Sequence, residues 1–149
     1  MKTRKLLFVL AIAMSTFTLA SAQELGVRFG SYAGNGGVAL DGVFSTSEFS
    51  RIHADISFGN GVGADFLFDF IYRPISNEAF NWYMGVGPYL YLPFQPGNLS
   101  FGAVGEIGLL YAFNSIPFTL SIDWRPYFQL IETTNIYYGG FGLNFRYVF

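Results

Sequence analysis

Phe141-Gly142-Leu143-Asn144-Phe145-Arg146-Tyr147-Val148-Phe149 carries a large apolar side chain at every odd position. Side chains on a strand alternate between its two faces. Phe141, Leu143, Phe145, Tyr147 and Phe149 therefore share one face, while Gly142, Asn144 and Arg146 point the other way with Val148 as the one apolar exception. An apolar row backed by a polar one predicts a strand whose two faces meet different surroundings.

Seven more alternating segments precede it, each bounded by turn residues. The pattern predicts strands over 24–32, 38–44, 51–59, 64–72, 80–91, 100–113 and 118–130, with the eighth over 137–149. Between them lie Ala33-Gly34-Asn35-Gly36-Gly37, a Ser/Thr-rich stretch over 45–50, Asn60-Gly61-Val62-Gly63, Arg73-Pro74, a loop over 92–99, Asn114-Ser115-Ile116-Pro117 and the connection 132–136. Pro74 cannot donate to a ladder and ends its strand, and Pro126 is expected to mark a bend. The fourth segment alternates most cleanly: Phe66, Phe68, Phe70 and Tyr72 on one face, Asp65, Leu67, Asp69 and Ile71 on the other.

The beginning of the chain has a different character. Lys2, Arg4 and Lys5 precede an apolar stretch over 6–19, and Ala20-Ser21-Ala22 offers the small residues that a signal peptidase requires. That order predicts a cleaved secretory signal peptide over 1–22 and a single domain over 23–149. Without the leader, five basic residues stand against ten acidic ones and no lysine remains, so no basic patch is available for nucleic acid. The chain has no cysteine, which excludes both a disulfide framework and a lipidated N-terminal cysteine. Aromatic residues make up 20% and charged residues 12%, whereas a soluble domain is about one-quarter charged. Yet no apolar run of about 18 residues follows the leader to cross a membrane as a helix.

An apolar exported chain without a helical span points to a barrel. On a barrel's lipid face a charge at the bilayer midplane costs about 2–4 kcal/mol. One registration turns Arg28, Asp55, Asp65, Asp69, Glu106, Asp123, Arg125 and Arg146 all inward and keeps the large aromatics outside. Backbone groups in hydrocarbon must all be paired, so the sheet must close on itself. The expected fold is all-β, an eight-stranded antiparallel up-and-down transmembrane β-barrel. An even strand number puts both termini on the periplasmic side, with loops near 33–37, 59–63, 92–99 and 131–136 outside the cell.

The leader, the eight alternations and the final aromatic strand together resemble the small eight-stranded outer-membrane β-barrel family, the OmpA/OmpX-like outer-membrane β-barrel domain. The resemblance covers essentially all of 23–149. It implies an integral protein of the outer membrane of a Gram-negative bacterium, surrounded by outer-membrane lipid and monomeric. It further implies that Phe145, Tyr147 and Phe149 are the signal read by the barrel-insertion machinery. Members of this size often carry long outer loops for adhesion; here the longest expected loop has about eight residues, which argues against that role.

The interior separates pore from plug. A barrel of eight strands has room for little beyond its own side chains. Tyr32, Tyr83, Tyr89, Tyr91, Tyr127 and Tyr138 are expected to fill it, with inward glycines such as Gly26, Gly85, Gly102, Gly108 and Gly142 making room. Arg28, His53, Asp55, Asp69, Glu106, Asp123, Arg125 and Arg146 are expected to form a structural ionic network, with Glu106 and Asp123 the main partners of the arginines.

Catalysis is not expected. His53 is the only histidine, and Ser57, the one nearby serine, points inward with it. One histidine without cysteine does not suggest a metal centre, and the glycine clusters match no phosphate-binding or dinucleotide fingerprint, so no cofactor is expected. The sequence thus favours a non-catalytic structural or envelope barrel. A narrow pore or carrier for ions or small apolar molecules is the alternative. A soluble periplasmic ligand-binding barrel requires the opposite face pattern.

Overall fold

The computed structural model describes residues 23–76 and 79–149; the expected signal peptide lies outside the described residues. The strands are β1 Gln23–Tyr32, β2 Asn35–Ser47, β3 Ser50–Gly59, β4 Gly61–Pro74, β5 Phe80–Pro93, β6 Ser100–Ala112, β7 Phe118–Trp124, β8 Tyr127–Gln129, β9 Asn135–Tyr137 and β10 Phe141–Val148. There is no helix among the described residues. β7 and β8 both lie against β6 in one unbroken register, so they form a single stave interrupted at Arg125-Pro126. β9 and β10 likewise make up the last stave. Every stave pairs antiparallel with its chain neighbours, and β1 pairs with β10 from Glu24↔Val148 to Gly30↔Gly142. The result is a closed eight-stranded antiparallel barrel.

Ladder continuity survives both interruptions. Pro126 has no N–H, but its carbonyl accepts from Gly105 N at 3.0 Å, and Arg125 N donates to the Gly140 carbonyl at 2.7 Å. The first hairpin is tighter than the expected 33–37 loop. Ala33 and Gly34 form a two-residue turn with φ of 47° and 85°, and β2 resumes at Asn35. Positive φ at both central residues matches the right-handed twist of the flanking strands.

Three face assignments, at two places, differ from expectation, and each place has a local cause. Asp69 pairs with Gly85 but Ile71 with Met84, so Phe70 is an extra residue, a β-bulge. Beyond it the parity reverses. Tyr72, expected outside, turns in, and Ile71, expected inside, turns out opposite Met84. A second irregularity separates β9 from β10. The Tyr127↔Tyr137 and Trp124↔Phe141 pairings differ by one residue in register. Tyr138 is therefore exposed on the outside instead of filling the interior, and Tyr137 packs against the inner cluster of Tyr89 and Tyr127 in its place. The Tyr138 carbonyl, released from the ladder, accepts the Trp124 indole N–H at 2.6 Å.

A third register shift lies between Ser45 and Ser47 at the end of β2, and it reverses none of the expected facings. Phe29, Ile56, Phe66, Phe68, Val86, Ile122, Leu143 and Phe145 are exposed on the outer wall. The largest fully enclosed side chains are Arg28, Arg51, Arg125, Arg146, His53, Tyr83, Tyr89, Tyr127, Leu67, Leu110, Val43 and Val104. Soluble domains place charge outside and hydrocarbon inside. This barrel reverses the order.

Candidate functional site: the charged interior

The inner face of each strand supplies the site by parity. Six carboxylates (Asp41, Asp55, Asp65, Asp69, Glu106, Asp123) and five basic groups (Arg28, Arg51, Arg125, Arg146, His53) are buried inside the wall. Desolvated charges of this number persist only when each is paired and hydrogen-bonded.

Arg125 is the hub. Its Nε donates to Glu106 Oε2 at 3.0 Å, and its Nη1 donates to Asp55 and, at 3.1 Å, to Asp65 Oδ2. Tyr127 donates its hydroxyl to the same Asp65 oxygen at 2.6 Å. The break at Arg125-Pro126 lets this guanidinium reach acids on β3, β4 and β6 from one position. His53 lies beside it, with Nδ1 2.9 Å from Glu106 Oε1 and Nε2 2.6 Å from Asp41 Oδ1. The imidazole thus has a carboxylate against each nitrogen, with Arg125 Nη2 and Arg146 Nη2 also 3.1 and 3.2 Å from Nε2.

Two further arginines tie the closing seam. Arg28 donates from Nη2 and Nε to the two oxygens of Asp123, at 2.5 and 3.0 Å, and Asn144 Nδ2 reaches Asp123 Oδ2 at 2.8 Å. Arg146 donates through Nε to Asp41 Oδ2 at 2.6 Å and through Nη1 to Ser121 Oγ at 3.1 Å. Nearer the short turns, Arg51 is stacked between Tyr72 and Tyr83, 4.5 and 4.3 Å from their ring centroids, with Nε on Asp69 Oδ2 at 2.7 Å. The Phe70 bulge makes that sandwich, since it turns Tyr72 inward.

All eight residues expected in the network, Arg28, His53, Asp55, Asp69, Glu106, Asp123, Arg125 and Arg146, lie inside and buried. The pairing differs in one respect. Glu106 and Asp123 take Arg125 and Arg28, but Arg146 goes to Asp41 on β2. Asp41 follows Leu40 on the same alternation and was legible as inward; nothing in the sequence marked it as a partner 105 positions from Arg146. Arg51, Ser121 and Asn144 also belong to the network without having been expected there. The inward glycines serve side chains of two kinds. A Cβ on Gly108 would run into the Tyr83 ring, and one on Gly142 would run into the Arg28 guanidinium.

The acid clusters have the composition of a cation site. Asp41, His53 and Asp55, and likewise His53, Asp69 and Glu106, bring ligand atoms within 4.8 Å of one another. Their oxygens are directed at guanidinium groups and at His53, so arginine supplies the positive charge within the clusters. His53 and Ser57 are both enclosed, and no hydrogen bond joins them.

Fold and site together define a closed eight-stranded antiparallel β-barrel with an ion-paired interior and an apolar outer wall. No family model matches the chain, and no curated protein is detectably similar to it.

Proposed function

We propose that this chain is an integral outer-membrane β-barrel protein of the small OmpA/OmpX-like kind, non-catalytic, with a structural role in the envelope of a Gram-negative bacterium. The observation that carries the reading is the reversed polarity of a closed sheet. Its outer wall exposes Phe29, Phe66, Phe68, Ile122, Leu143 and Phe145, while six carboxylates and five basic groups are enclosed within it. In water such a wall would drive aggregation. In a bilayer it is the surface that lipid requires, and closure leaves no unpaired sheet edge in hydrocarbon. The strands of 10–14 residues suffice to cross when tilted.

On this reading residues 1–22 direct export, the protein is monomeric, and Phe145, Tyr147 and Phe149 serve the barrel-insertion machinery. Neither a cofactor nor nucleic acid takes part. The interior favours a plug over a pore, because Arg28, Arg125, Arg146, His53, Tyr83 and Leu67 occupy the lumen without exposure.

The deciding experiment compares boiled and unboiled protein, folded in detergent, on cold SDS gels, followed by planar-bilayer recording. A mobility shift with protease resistance and a flat conductance trace support the proposal. A monodisperse protein in detergent-free buffer would overturn the membrane assignment, and steady unitary currents would overturn the plug.

A further inference from the structure

The end of the barrel bearing the 33–34, 94–99 and 130–134 connections opens into a concavity of about 720 Å³. That volume lies within the range of small-ligand sites, about 300–1,000 Å³. Its chemistry is unlike the rest of the interior. Not one of its lining residues is charged, although ionised groups fill the lumen below. Amides surround it instead: Asn35, Asn60, Gln95, Asn98 and Gln129. Tyr91, Phe94 and Tyr137 supply aromatic surface.

Tyr91 gives the independent indication of a ligand. It lines this concavity, is only 7% exposed, and its hydroxyl has no hydrogen-bond partner. A buried hydroxyl left unpaired costs folding free energy, and such groups call for an explanation. The neighbouring tyrosines are satisfied: Tyr89 pairs with Ser100 Oγ at 2.9 Å, and Tyr137 donates to Gln129 Oε1 at 3.2 Å. Tyr91 is accommodated over Gly61, where a Cβ would come within 2.8 Å of its ring and hydroxyl. Phe94 stands at the rim, 68% exposed.

We propose that this mouth binds a neutral sugar unit of an oligosaccharide. Aromatic faces, negative at their centres, receive the C–H face of a pyranose ring. Carboxamides offer a donor and an acceptor side by side, which suits adjacent hydroxyls. The Tyr91 hydroxyl is then completed by a sugar oxygen, and the absence of charge selects against acidic saccharides.

The test uses the full barrel in a sugar-free amine-oxide detergent, titrated with maltotriose, triacetylchitotriose and trigalacturonate by calorimetry and saturation-transfer NMR. At least one neutral trisaccharide binds at millimolar concentration and more tightly than trigalacturonate. Tyr91→Phe keeps the ring and removes only the orphan hydroxyl, so the gel shift of the folded barrel is retained while affinity falls about fivefold to tenfold. Tyr137→Ala weakens binding to a similar extent, and Tyr138→Ala, on the outer wall, leaves it unchanged. Repeating the titration with a glycolipid bearing the same headgroup in liposomes separates a soluble source of the sugar from a membrane-borne one. A folded, gel-shifting barrel that binds neither neutral sugar overturns the assignment, as does equal affinity of wild type and Tyr91→Phe. The gel shift reports the barrel and the titration reports the mouth, so the two proposals fail separately.

Discussion

Arg146 and Asp41 meet across an intervening strand. Both lie opposite Gly26 of β1, Arg146 from β10 on one side and Asp41 from β2 on the other. Gly26 has no side chain, so the guanidinium and the carboxylate can close over it at 2.6 Å. The first strand is thus held twice, by its ladders to β2 and β10 and by an ion pair laid across its inner face. Arg28, two residues on and bonded to Asp123 of β7, repeats the device across β10.

Breaking that pair strips an enclosed charge of its closest partner, leaving Asp41 with His53 and Arg146 with Glu24 at 3.7 Å. Asp41→Asn or Arg146→Met alone is expected to destabilise the barrel by about 3–5 kcal/mol. Asp41→Leu combined with Arg146→Met should cost less than the sum of the single changes, since each removes the orphan left by the other. Urea unfolding in micelles, read by tryptophan emission, provides the cycle; strict additivity would show that the two groups act independently.

Glu106 joins His53 to Arg125 through its two oxygens, at 2.9 and 3.0 Å. Glu106→Gln removes the charge common to both contacts and should lower the temperature at which the unboiled gel band disappears. Glu132→Gln, on an exposed connection, is the control and should leave that temperature unchanged. Equal behaviour of the two variants would remove Glu106 from any stabilising role.

Glycine is required where an inner side chain or a neighbouring strand's backbone passes close by. At Gly142 a Cβ would meet the Arg28 guanidinium, and at Gly26 it would come within 2.6 Å of Arg146 Cα. Each alanine substitution there is expected to cost about 1–3 kcal/mol, as overpacking does. Nothing lies within 4 Å of a Cβ built on Gly139, so Gly139→Ala should be close to neutral. The same unfolding titration ranks the three.

Lipid exposure has its own signature. Phe68→Arg, on the outer wall within β4, should destabilise the protein in liposomes by about 2–4 kcal/mol, while Ile116→Arg, in a short turn, should cost about 0–1 kcal/mol. A matched small loss at both positions would argue that the outer wall does not face hydrocarbon.

The period of two in the sequence was sufficient to determine the fold class, the strand number and nearly every face. It works because each strand here sets a row of strongly apolar side chains against a row of strongly polar ones, so each residue's choice of side is energetically decisive. Phe66 out with Asp65 in, and Phe145 out with Arg146 in, needed no tertiary information. Parity counting fails only where a residue is added to one strand without a partner. At Phe70 and around Tyr138 such bulges reversed the facing of Tyr72 and exchanged Tyr137 for Tyr138. Phe70 carries no proline or glycine to mark it, and Gly139-Gly140 beside Tyr138 marks an irregularity without saying which way the facing shifts, because a bulge is a relation between two strands. The ion pairs had the same limit. Alternation gathers Arg146, Asp41, Glu106, His53 and Arg125 into one interior, but which acid meets which base depends on the stagger between staves. Only closure of the barrel sets that stagger, and closure brought Arg146 over Gly26 to Asp41. The charge-free mouth around Tyr91 also appeared only when connections far apart in the chain converged at one end.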